Sequence, residues 1–193
     1  MKNKKFIYNN KELDFSILDF WEYKYSSIYN LQEVIAEFLI EKALKIEKSH
    51  NVDSWTLFDI LYKNKRIEVK QTAYYHPWNE NSGISKSRSF DIRKANSRYE
   101  DLINENKYER QNDIYVFCVN MGMDKESAYP LNINNWEFYI LPTKKINEIC
   151  KDNKTICLNR VRKIAKKVNY EKIKNYIDYL IENELESIDK IKK

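Results

Sequence analysis

Apolar and polar positions recur along this chain with two periods, and the switches between them outline its elements. Leu31, Val34, Ile35, Phe38, Leu39 and Ala43 fall three and four residues apart, which predicts an amphipathic helix over 31–47. Asn30 stands where its N-cap belongs, with Glu33 at the N3 position of a capping-box pair. The mixed run 13–25 (LDFSILDFWEYKY) has roughly helical spacing and predicts a short helix. Towards the other end, Ile173, Ile177, Leu180, Ile181, Leu185 and Ile188 share one face of a long helix, with Asn169 as the expected N-cap.

Between these helices the pattern changes. The runs 55–62 (WTLFDILY) and 66–75 (RIEVKQTAYY) are rich in β-branched and aromatic residues and flank Lys63-Asn64-Lys65, a hairpin signal. Residues 76–88 hold turn formers and predict a loop, 89–93 (SFDIR) a short strand, and 95–110 a polar helix. The near-continuous apolar run 114–119 (IYVFCV) predicts a central strand buried on both faces. A strand over 136–141 should stop at Pro142, Thr143 should cap a helix over 144–151, and 155–161 should form a last short strand. This order predicts a mixed α/β protein whose sheet is covered by helices on both faces. With 193 residues, two Gly, three Pro and no internal repeat, the chain reads as a single domain over 1–193.

Composition narrows the classes. The formal charge of +5 permits nucleic-acid binding without requiring it. The three cysteines, Cys118, Cys150 and Cys157, fit no zinc spacing, and Cys118 reads as a small core residue in a reduced compartment. No segment approaches about 18 uninterrupted apolar residues, and MKNKKFIYNN lacks an apolar signal core. The expectation is a cytoplasmic protein with no membrane partner.

The hairpin carries the chemistry. On its second strand Arg66, Glu68, Lys70 and Thr72 share one face, and Ile67, Val69 and Gln71 the other. A turn at Lys63-Asn64 sets Asp59 opposite Glu68, whereas a turn at Asn64-Lys65 sets it opposite Lys70. Either register puts Asp59, Glu68 and Lys70 on one face, where opposed Cβ atoms lie about 4.5–5.5 Å apart. Two carboxylates so placed can share a divalent ion, with the backbone carbonyl of Val69 as a further ligand. An adjacent lysine can orient an attacking water and offset charge at a phosphate. The bland counterpart is a solvated ribbon with paired charges. Glu33, Glu37 and Glu41 form a stripe on the preceding helix. Of these Glu37, mid-helix and beside the apolar stripe, is the candidate for an added metal ligand or outer acid.

At these residues the chain resembles the PD-(D/E)XK restriction-endonuclease-like nuclease superfamily: Glu37 on the first core helix, Asp59 on the first hairpin strand, Glu68-Val69-Lys70 on the second. It resembles more closely a group of uncharacterised bacterial nuclease-like proteins, through LDFW, AEFLIEKAL, RIEVKQTAYYHPW, DIYVFCV and WEFYILPT, taken in order along the chain. The resemblance implies a restriction-endonuclease-like α/β/α sandwich with a central mixed sheet and Mg²⁺-dependent cleavage of DNA, with Mn²⁺ as a substitute ion. It makes Asp59 and Glu68 metal ligands and Lys70 the water-positioning base or electrostatic helper. Gln71 follows the lysine where some members place an accessory polar residue, but strict alternation turns its side chain away. Phe58 precedes Asp59 where the family's pattern has Pro. Double-strand cutting commonly uses two active sites, which makes a homodimer the corresponding hypothesis. The rival reading is a non-catalytic nucleic-acid-binding or protein-interaction domain on the same fold.

Other residues are weaker candidates. His76, Lys86, Arg88 and Arg93 are positioned for phosphate contact in or beside the 76–88 loop, against the default of a loop histidine and a solvated basic face. Trp21, Trp55, Trp78 and Trp136 sit in apolar contexts and are assigned to the core.

Overall fold

The computed structural model describes residues 4–25, 27–46, 58–76, 88–96 and 108–185. Its strands, in chain order, are β1 (Lys5–Tyr8), β2 (Lys11–Ser16), β3 (Ile60–Tyr62), β4 (Lys65–Ala73), β5 (Ser89–Asp91), β6 (Ala95–Asn96), β7 (Tyr108–Glu109), β8 (Ile114–Asn120), β9 (Trp136–Pro142), β10 (Thr155–Cys157) and β11 (Lys166–Val168). The helices are α1 (Ile17–Lys24), α2 (Gln32–Ala43), α3 (Thr143–Cys150), α4 (Leu158–Ile164) and α5 (Ile173–Leu180), the last continuing into a π-helical turn over Ile181–Leu185.

A five-stranded mixed sheet in the order β11-β9-β8-β4-β3 forms the centre. β8 runs parallel to β4 and antiparallel to β9. Every residue of β8 is buried, and its alternation explains the continuous apolar run. Ile114, Val116 and Cys118 face one core, with Ala36, Ile40, Ile67, Val69, Ile173 and Ile177 from α2, β4 and α5. Tyr115, Phe117 and Val119 face a second core, with Phe90, Ile146, Ile156 and Val161 from β5, α3, β10 and α4. Helices therefore flank both faces of a mixed α/β sheet, as the periodicities predicted. Each fully buried Ile or Val contributes roughly 1.5–3 kcal/mol relative to exposure.

The hairpin turns at Lys63-Asn64. Both residues have positive φ, 47° and 59°, as a two-residue type I′ turn requires. Tyr62 pairs with Lys65, Leu61 with Arg66 and Ile60 with Ile67, which selects the first of the two registers considered. The first strand is shorter than expected, and 55–57 lies outside the described residues. At the opposite corner Asp113 accepts from the Arg66 backbone N–H at 2.8 Å and pairs with its guanidinium, fixing the start of β8 against β4.

Several local expectations change. Residues 11–16 form a strand rather than helix, paired with β1 across Asn9-Asn10, both at positive φ. Ser16 then caps α1 through a reciprocal capping box with Asp19. A 3-10 turn over Ile28–Leu31 precedes α2, so Leu31, not Asn30, is its N-cap and no side chain caps it. The ends of the polar segment expected to be helical are paired strands, β6 and β7. Pro142 still belongs to β9, and Thr143 caps nothing, its hydroxyl accepting instead from Asn112 Nδ2 at 2.9 Å. Of 155–161 only Thr155–Cys157 is strand, and α4 follows directly. Asn169 opens a 3-10 turn without a side-chain cap, while Ile173, Ile177, Leu180, Ile181 and Leu185 are all buried as expected. Ile188 lies outside the described residues. Trp136 is buried and donates to the Pro130 carbonyl at 2.9 Å, Trp21 is half-buried against Tyr25, and Trp55 and Trp78 lie outside the described residues. Cys118 is a buried free thiol. Among the described residues no helix is long and apolar enough to cross a membrane.

Candidate active site

The polar face of β4 meets the second core layer at a place that, among the described residues, no helix lines. Glu68 and Lys70 lie opposite Tyr115 and Phe117 in the parallel ladder, and their side chains are only 16% and 26% exposed. They open into a cavity of about 250 Å³ that Asp59 also lines. The shared face predicted for Asp59, Glu68 and Lys70 thus becomes a shared pocket.

Asp59 reaches the pocket by leaving the ladder. Its N–H donates to the Ile67 carbonyl at 3.1 Å, one residue out of the β3–β4 register. Its Oδ2 accepts from the Val69 N–H at 2.7 Å. This shift also turns Phe58 towards the pocket, where strict alternation would point it away from Asp59. Lys70 Nζ stands 2.5 Å from Glu68 Oε1.

The electrostatics follow from burial of like charges. Burial and the neighbouring Asp59 raise Glu68 to about 7, despite the opposing attraction of Lys70. Asp59 is raised by burial, with the Val69 N–H and Lys70 working against the shift and Glu33 adding to it. Burial works against the Lys70 ammonium, but Glu68, Asp59 and Asp91 outweigh it and hold its pKa above the ordinary lysine value. A lysine so held keeps its proton at neutral pH, which suits electrostatic assistance and not a general base.

Glu37, half-buried on α2, belongs to the opposite helical layer and does not line the pocket. It is nevertheless raised to about 7, first by burial and then by repulsion from Asp59, Glu33 and Glu68. Glu37 is therefore coupled to the pocket's carboxylates electrostatically without lining the pocket. Gln71 faces away, as alternation required: its Nε2 donates to Gln32 Oε1 on α2 at 3.2 Å.

The pocket contains residues that the sequence did not single out. Asp91 of β5 lines it, as do Tyr115, Gln111 and Asn112. Asp91 is tied to Arg93, whose Nε lies 2.7 Å from its Oδ2. Burial would raise the Asp91 carboxyl, but its hydrogen bonds from Arg93 and the charges of Arg93 and Lys70 leave it below its ordinary value. The alternation of SFDIR carries a signal for Asp91, but β5 pairs with β10, a partner that local pattern does not reveal. Of the basic candidates, Arg93 is exposed at the pocket rim. Arg88 is buried, its Nη2 donating to the Tyr74 carbonyl at 2.8 Å and its guanidinium packed 4.8 Å over the Tyr74 ring. His76 lies nearby, its pKa lowered by burial and by Arg88, and does not line the pocket. Lys86 lies outside the described residues.

Among the described residues no three of His, Cys, Asp and Glu stand close enough to hold one metal ion. Comparison with family models, curated proteins and solved structures returns no match.

Proposed function

We propose that this chain is a metal-dependent endodeoxyribonuclease of restriction-endonuclease-like α/β/α fold, hydrolysing phosphodiester bonds at Asp59, Glu68 and Lys70. The supporting observation is that these three side chains share one sheltered pocket with two carboxylates whose charges are mutually disfavoured. Hard oxygen donors made costly to ionise by burial and repulsion are what a small divalent cation relieves. The donor set fits Mg²⁺, or Mn²⁺ in its place. Asp59 and Glu68 would hold the ion, with the Val69 carbonyl, water and substrate oxygens completing its shell, because among the described residues no third carboxylate stands close enough to share it. Such an ion supplies charge relief at the phosphate and an acidified bound water. Lys70 keeps its proton, orients the attacking water and offsets negative charge on the phosphate oxygens. Glu37, half-buried in the adjoining layer and repelled by Asp59 and Glu68, takes up a proton near neutrality. Arg93 supplies a positive charge at the rim for the DNA backbone. Cutting both strands of a duplex brings two such pockets together, hence a homodimer.

A second reading is a non-catalytic nucleic-acid-binding or protein-interaction domain on the same fold. It draws on the lack of a three-ligand cluster among the described residues. Plasmid, linear, single-stranded and branched DNA, incubated with Mg²⁺, Mn²⁺ or EDTA, separate the two. The nuclease reading expects cation-dependent cleavage of at least one substrate and its loss in Asp59→Asn. No cleavage of any DNA, with no Mn²⁺ binding that depends on Asp59 and Glu68, would favour the second.

A further inference from the structure

The opposite edge of the sheet carries a second feature that the pocket does not use. The segment 160–174 holds seven Lys and Arg against one acidic residue, Glu171. It folds into α4, the edge strand β11 and the start of α5. Between β11 and α5 runs a groove of about 430 Å³, lined by Lys166, Asn169, Lys172, Asn175, Tyr176 and Tyr179. Lys167 points to the other face of the sheet, where Glu137 neutralises it. Lys166 shares the face of Val168, which packs in the α2–α5 core. Lys166 and Lys172 are exposed, and among the described residues neither makes an ion pair.

The aromatic floor of the groove is ordered. Tyr176 and Tyr179 stack with ring centroids 6.1 Å apart and planes within 18°. Tyr179 is 50% exposed, so one flat ring continues the stack into solvent. Tyr176 is the less exposed ring of the pair, which leaves Tyr179 as the available platform. Unpaired lysines beside a stacked aromatic pair, with two amide side chains between, match single-stranded nucleic acid. The phosphates meet the ammonium groups and a base lies on the exposed ring. An acidic peptide would satisfy the lysines but gain nothing from the tyrosine stack.

We infer that the β11–α5 groove binds single-stranded nucleic acid through Lys166, Lys172 and Tyr179. β9 and β8 separate β11 from β4 by about 14 Å across the sheet, and the groove opens on the α5 face while the carboxylate pocket opens on the other. Binding there does not rest on the nuclease reading, because none of its residues is part of the pocket.

The test is fluorescence anisotropy of a labelled oligothymidylate of about fifteen nucleotides on the full chain in EDTA. The wild type binds, Tyr179→Ala weakens binding about five-fold or more, and Tyr179→Phe restores it. The Lys166→Ala/Lys172→Ala variant lowers the slope of log affinity against log salt by about 1.4. Lys144→Ala, an exposed lysine of α3 outside both the groove and the pocket, leaves affinity unchanged. All the altered groove side chains are at the surface, and circular dichroism checks that each variant is folded. The inference is overturned if the groove variants bind like wild type. It is equally overturned if poly-glutamate competes as well as oligothymidylate, the outcome that marks an acidic protein partner. Absence of oligonucleotide binding by the wild type assigns the lysines to guarding an edge strand against strand pairing and also overturns it.

Discussion

The two faces of β4 are built from alternate residues of one strand and behave as opposites. Ile67 and Val69 are 0% and 2% exposed and pack against α2 and α5. Glu68 and Lys70, between and beside them, are ionisable and only 16% and 26% exposed, with Asp59 pressed against the same space. The first face is favourable burial and contributes stability. The second removes carboxylates from water without enough opposite charge, a cost that structure alone does not repay. A strand that breaks the rule of apolar burial on one face only, beside an intact core on the other, is the ground for proposing the site on the breaking face.

The comparison breaks most visibly in activity. Under the nuclease reading, Glu68→Gln and Asp59→Asn each lower DNA cleavage about 10²–10³-fold, while their unfolding midpoints stay equal to or above wild type. Steady-state cleavage and urea denaturation on the same samples check both halves. The apolar face answers in the other coin: Ile67→Ala costs about 2–5 kcal/mol in urea unfolding, with cleavage per folded molecule retained at low temperature.

A smaller effect appears in the pH dependence of stability. Metal-free and folded, Glu37 and Glu68 hold their protons up to about 7, against an ordinary value of 4.5 in the unfolded chain. The folded state therefore binds more protons across that window. These two groups make stability fall as pH rises from 4.5 to about 7, and the penalty persists at higher pH. Denaturation curves without metal should show this decline, and Glu37→Gln/Glu68→Gln should flatten it. Added Mg²⁺ should raise the thermal midpoint more above the window than below it. The smallest effect belongs to the rim. Arg93→Ala removes an exposed partner of Asp91 and should leave the thermal midpoint unchanged in differential scanning fluorimetry.

The hairpin was legible because its information is local. Period-two alternation and a short polar turn fix which residues share a face, and Lys63-Asn64 accepts the positive φ of the turn. The buried strand at 114–120 was legible for the same reason, being apolar on both faces. The first hairpin was missed although Asn9-Asn10 marks its turn: helical spacing from Leu13 onwards masked β2, and α1 begins only at Ile17. Asp91 and Tyr115 enter the pocket through pairings distant in sequence, β5 with β10 and β4 with β8, which no window of residues contains. Phe58 lines the pocket beside Asp59, which a regular ladder would not allow, because the chain leaves the ladder at Asp59. The caps at Asn30, Thr143 and Asn169 failed where 3-10 turns or an extended proline began the helix.

The central claim is that the charged face of β4 is a cation-dependent phosphodiesterase site in which Lys70 assists as a charged group. Its most direct measurement is the nicking rate of supercoiled plasmid in Mg²⁺ by wild type and Lys70→Ala, purified side by side. The account predicts nicking by wild type that EDTA abolishes, and a rate about 10²-fold or more lower in Lys70→Ala. Equal rates in the two proteins would contradict it.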